Sequence, residues 1–347
     1  MQDEWRSLRD SVQHNCHISD AAHAGDYTLC VYLMKMREFY RWEMGYAYAD
    51  SLPHEEVGDW LRAREQLWED LEESDFVHLP VGDQAIDPLE AETVNTRLLP
   101  EGLVYSAGYG QRAKPHFFLG RLDRHEDTEE YRLIVAGEEF ARDLTSPPAM
   151  SLNGTIFIRR QALRQMIWEK MEEWRWNRLD NPMGRAIRCY DFDTDPDGAL
   201  DAMAEGQIDT LILHEIGEVQ CGRELGPEWE QMLASFPRSK AEIQARAVRD
   251  NLADALSTLP RLLDKADAAS LHFYFATLTN MRKSLMPSLV EAYQTWHREG
   301  NDSVLKQIIQ RSQSHWQRVA EAVLDDFRTH GRAAMNRIPD LIETNAL

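Results

Sequence analysis

The chain is short of positive charge. Lys and Arg total 38 against 59 Asp and Glu, a formal net charge of −21, so the average surface repels a nucleic-acid backbone or an anionic lipid layer. Neither nucleic acid nor membrane is an expected partner. Long apolar runs are missing too: nothing reaches the length needed to span a bilayer, and the charged start, Met1-Gln2-Asp3-Glu4-Trp5-Arg6, offers no signal-peptide core. Cysteine is sparse, at Cys16, Cys30, Cys189 and Cys221 with no CxxC pair, which excludes a disulfide framework and a Cys-rich zinc site. Reduced thiols in a cytoplasmic protein are the expectation. Gly108-Tyr109-Gly110 lacks the spacing and the Lys-Ser/Thr pair of a phosphate loop, and no Gly-x-Ser-x-Gly nucleophile elbow occurs.

What the chain does contain is helical periodicity. With 347 residues and 43% hydrophobic content it can build one large core or two ordinary ones. From Asp3 to about Asp75, apolar and aromatic residues recur every three or four positions, as in Leu29, Leu33, Met36 and Phe39, then Val57, Trp60, Leu61, Trp68 and Leu71. Between Gly102 and Arg159 the pattern shortens to β-like runs, Leu103-Val104-Tyr105, His116 to Leu119, Tyr131 to Val135 and Thr155 to Ile158, separated by glycines and acidic turns. Helical spacing then returns over Gln161 to Trp176, Thr210 to Cys221, Lys240 to Leu256, Ala268 to Ser284, Pro287 to Glu299 and Ser303 to Thr329. The pattern predicts a mainly α, α+β protein: a helical N-terminal region (1–98), a small central antiparallel sheet (99–160) and a larger helical C-terminal region (161–347).

One stretch carries chemistry. Leu211-Ile212-Leu213-His214-Glu215-Ile216-Gly217-Glu218 places His214 and Glu218 four apart on one helix face, where both can grip a cation, with Glu215 beside them as a base. The segment resembles the His-Glu-x-x-His helix of zinc peptidases, with Glu218 in the second ligand position. In the extended form of that motif a third ligand follows a glycine-permitted turn, and Glu224 stands at that distance beyond Gly222. One imidazole and two carboxylates form a harder, more negative donor set than zinc usually takes, so iron and manganese are candidates beside zinc. The alternative is that His214 and Glu218 simply cap or pair on a buried helix.

Two further constellations stand out. Asp250 and Asp254 lie four apart on another helix, and His272 sits among aromatics in Ser270 to Phe275. With His214 and Glu218 they would complete a site of the kind that di-metal carboxylate bundles build from inward-facing Glu and His. The plainer account pairs Asp250 with Arg246 or Arg249 and gives His272 a backbone partner. Near the N-terminus, His17, Asp20, His23 and Asp26 recur every three residues and would be spread around a helix. His17, His23 and Asp20 are possible additions to the site, or else a solvated helix end. Arg282 and Lys283 stand where they could neutralise an acidic substrate.

With its Cys16-to-Asp26 and Leu-His-Glu-x-Gly-Glu segments, the whole chain is similar to a bacterial family of unknown function, a resemblance that implies no mechanism. The residues themselves point to a metal-dependent enzyme. The expectation is a zincin-like hydrolase of a small-molecule or peptide substrate, with Glu215 activating metal-bound water. The alternatives are a non-haem iron or di-metal oxidoreductase, and a non-catalytic acidic interaction protein. Oligomeric state is not legible, because buried and exposed aromatic stripes look alike in sequence.

Overall fold

A computed structural model describes residues 2–110, 114–145, 147–152 and 154–347. It divides into two compact units, residues 1–169 with 193–201 and residues 170–192 with 202–347. The expected N-terminal and β-rich regions therefore share one unit. No helix among the described residues is long and apolar enough to cross a membrane.

The first unit opens with three helices, α1 (Gln2–His23), α2 (Leu29–Met44) and α3 (His54–Leu71). Gly45 ends α2 in the left-handed conformation (φ 72°) that lets its N–H return to the last helical carbonyls. A small hairpin of β1 (Leu79–Val81) and β2 (Gln84–Ile86) and the short α4 (Ala91–Leu98) follow. The main sheet holds β3 (Leu103–Tyr109), β4 (Pro115–Asp127), β5 (Arg132–Arg142), β6 (Ala149–Leu152) and β7 (Thr155–Arg159), in the order β3-β4-β5-β7-β6. It is antiparallel except where β5 pairs with β7 in parallel register, Arg132 opposite Thr155.

Both faces of this sheet carry buried residues, which is why its strands read as nearly continuous apolar runs. Tyr105 and Ala107 of β3 with Phe117 and Leu119 of β4 pack against Leu8, Val12 and Cys16 of α1. The alternate residues Val104 and Phe118 join Ile134, Ala136 and Phe157 in a second cluster.

Residues Arg160–Asn177 form α5 and Pro182–Ile187 form α6; α7 runs over Pro196–Leu225. Beyond it lie α8 (Pro227–Ser235), α9 (Lys240–Ala253), α10 (Leu259–Lys265), α11 (Ala268–Thr277), α12 (Asn280–Leu285), α13 (Pro287–Glu299), α14 (Ser303–His330) and α15 (Ile338–Thr344). α14 shows why the periodic pattern was readable: Leu305, Ile309, Ser312, Trp316, Val319, Ala320, Val323 and Leu324 are all buried, one stripe at 3.6-residue spacing. That stripe meets Trp229, Phe236, Val248, Leu252 and Tyr293 in one extended hydrophobic core.

Two helices expected as continuous are interrupted, and both interruptions shape the site below. The run expected to reach Leu256 leaves α-geometry after Ala253, and Asp254–Thr258 is a single π-helical turn in which the Leu259 N–H bonds back to the Asp254 carbonyl. Pro260 follows at once; it has no N–H for the carbonyl four residues back, so the widened turn accommodates it. The run from Ala268 to Ser284 breaks at Leu278, where Thr279 caps a new helix by accepting a hydrogen bond from the Arg282 N–H at 3.3 Å.

Candidate metal centre

Glycine brings the two helices of the site together. A Cβ at Gly217 would lie 2.4 Å from the carbonyl oxygen of Ala253, so only glycine lets α7 approach α9 this closely. The approach places His214 and Glu218 of α7 opposite Asp250 at the end of α9 and Asp254 at the start of the π-turn. One donor atom from each of His214, Glu218 and Asp250 lies within 4.8 Å of the other two, the one such group of three among the described residues. An ion about 2.1 Å from each donor needs donors roughly 3.4 Å apart. Side-chain rotation of an ångström or so therefore closes the set.

Asp254 orients the imidazole. His214 Nδ1–H donates to Asp254 Oδ1 at 2.7 Å, leaving Nε2 to face Glu218 Oε1 at 3.5 Å. A carboxylate on the far nitrogen is the usual support of a ligating histidine, since it fixes both tautomer and ring plane. Asp254 is itself fully held, by Thr258 Oγ1 and Tyr274 Oη, each at 2.8 Å, and by the Arg282 guanidinium. Burial alone would raise the Asp254 pKa, but Arg282 and His214 overturn that and hold it far below the carboxylate range. Burial opposes charge on His214 as well; Asp254, then Glu218, outweigh it and raise the imidazole pKa well above its ordinary value.

Arginine completes the cluster. Arg249 Nη2 lies 3.0 Å from Glu218 Oε1 and 3.7 Å from Asp250 Oδ1, while Nη1 reaches Glu230 at 3.2 Å. Burial raises the Glu218 pKa, and the His214 hydrogen bond and the Arg249 charge bring it down to about 2. For Asp250 burial dominates, and its pKa is raised. The arrangement can thus do one of two things: exchange a proton for a metal ion, or stand as an ion-pair network.

The remaining expected ligands lie elsewhere. Glu224 is exposed at the end of α7 and outside the group, because α7 continues through Gly222 as regular helix with no turn to bring a third ligand back. Glu215 is buried, at 6% exposure, on the adjoining face of α7, about 100° around the helix from His214. His272 faces Tyr293 Oη at 2.9 Å and packs beside Trp296 and His297, so its partner is a phenol rather than a backbone carbonyl. His17, Asp20 and His23 belong to the first unit, and each is engaged there. Arg64 donates to the His17 ring at 2.7 Å, Lys114 pairs with Asp20 at 2.6 Å, and His23 Nδ1 lies 2.9 Å from the Ser19 carbonyl.

Sequence reading missed two contributors. Arg282 was expected near an acidic substrate, yet it is buried on Asp254 and Asn251; the Thr279 cap was the available signal. Arg249 was noted only as a neighbour of Asp250, and its bond to Glu218 depends on the α7–α9 approach.

With this geometry in view, comparison with known proteins places the chain. A family of unknown function, DUF6866, matches twice: its N-terminal domain over residues 7–159 and its C-terminal domain over residues 164–345. The chain belongs to the DUF6866 family. The candidate centre falls wholly within the DUF6866 C-terminal domain, and His17, Asp20 and His23 within the N-terminal one. No curated protein and no solved structure matches the chain, and the family matches lend no support to the zinc-peptidase resemblance.

Proposed function

We propose that the protein is a metal-dependent enzyme in which His214, Glu218 and Asp250 hold one divalent cation, zinc, iron or manganese. The observation that carries this reading is the His214–Asp254 hydrogen bond: it turns Nε2 toward two carboxylates supplied by two different helices. The π-turn that positions Asp254 adds weight, since such turns recur at functional sites. Three protein donors leave coordination positions for water and substrate, the pattern of catalytic rather than structural centres. A cation there acidifies a bound water and polarises a carbonyl, which suits hydrolysis of a small-molecule or peptide substrate. Glu215, adjacent in the helix, is the proposed base. Four free cysteines fit a reducing, cytoplasmic setting for this chemistry.

A second reading has its own support. Arg249 already sits on Glu218, Asp250 and Glu230, and Asp254 takes both His214 and Arg282, so the cluster also stands by itself as an ion-pair network that ties its helix segments together. Elemental analysis of untagged protein, purified without chelator and then reconstituted, separates the two. Zinc bound one to one and lost in His214→Ala and Glu218→Ala supports the hydrolase. Iron or manganese with the same ligand dependence turns the chemistry toward the non-haem oxidoreductase. No uptake in the wild type leaves the network, and with it the interaction-protein reading.

A further inference from the structure

The same cluster says what kind of group the substrate brings. This step rests on the metal reading above. With an ion in place, Glu218 and Asp250 would turn to it, and the Arg249 guanidinium would lose two of its three carboxylate partners. Glu230 would remain, on the exposed side. A guanidinium released in this way beside a divalent ion attracts an oxyanion.

The two arginines are not equivalent. Arg282 is consumed by the fold: it is buried and donates to Asp254, Asn251 Oδ1 and the Asp250 carbonyl. Arg249 is held mainly through carboxylates that an ion would claim. Its side chain keeps 16% exposure, and its buried Nε has no hydrogen-bond acceptor among the described residues. An uncompensated buried donor is costly, and an entering oxygen would relieve it. Glu230 tethers Nη1 at 3.2 Å, so the guanidinium stays beside the site when Glu218 and Asp250 turn to the metal.

We infer that Arg249 is the anchor for an oxyanion, a carboxylate or phosphoryl group, on the substrate of the metal-loaded protein. Its fork of donors matches such a group in a way that lysine does not. Loss of Arg249 leaves the ion itself at least as well held, because a competing cation has been removed from two of its ligands.

The test is calorimetric titration of the full chain, loaded with the metal it retains, with sulfate standing for a phosphoryl group and acetate for a carboxylate. One of the two should bind the loaded wild type, and bind the metal-free protein and Arg249→Gln at least tenfold more weakly, with Arg249→Lys in between. Metal uptake, measured separately on each sample, should be undiminished in Arg249→Gln. Equal anion binding with and without metal, equal binding by wild type and Arg249→Gln, or no binding of either anion to the loaded protein would overturn the inference while leaving the metal site standing. Failure of the wild type to take up any ion overturns the metal reading, and this inference with it. Should Arg249→Gln not fold, Arg249→Lys and the metal dependence of the wild type decide the matter.

Discussion

His214 and Asp254 meet across α7 and the π-turn after α9 with Nδ1 2.7 Å from Oδ1. This contact sets the imidazole plane, leaves Nε2 facing Glu218, and ties the ring to a carboxylate that Arg282, Tyr274 and Thr258 hold in place.

Removing the charge from Asp254 is therefore expected to harm both fold and site. Asp254→Asn leaves Arg282 and His214 buried against a neutral amide, and breaking such a pair costs about 3–5 kcal/mol. Chemical denaturation should show that loss, with metal affinity falling in the same variant. A loss under 1 kcal/mol would mean that the network is less tightly coupled than its geometry implies.

Metal binding should itself stabilise the protein. An ion at 100 times its dissociation constant adds about 2.7 kcal/mol if it binds only the native state, readable as a rise in melting temperature with added zinc or manganese. His214→Ala and Glu218→Ala should abolish the rise. Glu224→Ala should leave both the rise and the metal stoichiometry unchanged, because Glu224 lies outside the donor group; a large effect would reinstate it as the third ligand.

The crossing of α7 and α9 can be probed at its tightest point. Helix propensity favours alanine over glycine by about 1 kcal/mol, yet Gly217→Ala meets the Ala253 carbonyl and should destabilise by roughly 1–3 kcal/mol. Separation of the helices should weaken metal binding as well. A stabilised Gly217→Ala variant would show that the two helices can move apart freely.

Base catalysis by Glu215 makes a separate prediction. Glu215→Gln preserves volume and should retain a full complement of metal while any hydrolytic turnover, once a substrate is found, drops by about 100-fold or more. Full turnover in that variant would assign the proton to another group.

The first unit offers a test of pH dependence at His17. Burial, then the neighbouring Arg64 charge, lower its pKa from 6.5 to about 3, so the native ring stays neutral while the unfolded one takes up a proton near pH 6.5. The stability that this neutrality confers is complete above pH 6.5 and is lost as pH falls toward 3. Between pH 7 and pH 5 the loss is about 2 kcal/mol. Denaturation midpoints of wild type and His17→Gln should converge over that interval, and parallel pH profiles would refute the account.

The sequence by itself determined the class of the fold, because one-dimensional periodicity reports burial directly. The stripe from Leu305 to Leu324 had to be a helix with one face in a core, and the runs at Leu103 to Tyr105 and His116 to Leu119 had to be strands. It also determined that His214 and Glu218 share a face, since four residues make about one helical turn. Which residues join them was decided only in three dimensions. Asp250, Asp254, Arg249 and Arg282 reach the site through a helix crossing permitted by Gly217, a π-turn imposed before Pro260 and a break capped by Thr279. None of these leaves a periodic trace. Charge balance among groups some 30 to 70 residues apart in the chain is settled by distances that local sequence does not encode, which is why Glu224 looked close in sequence and lies outside the site in the fold.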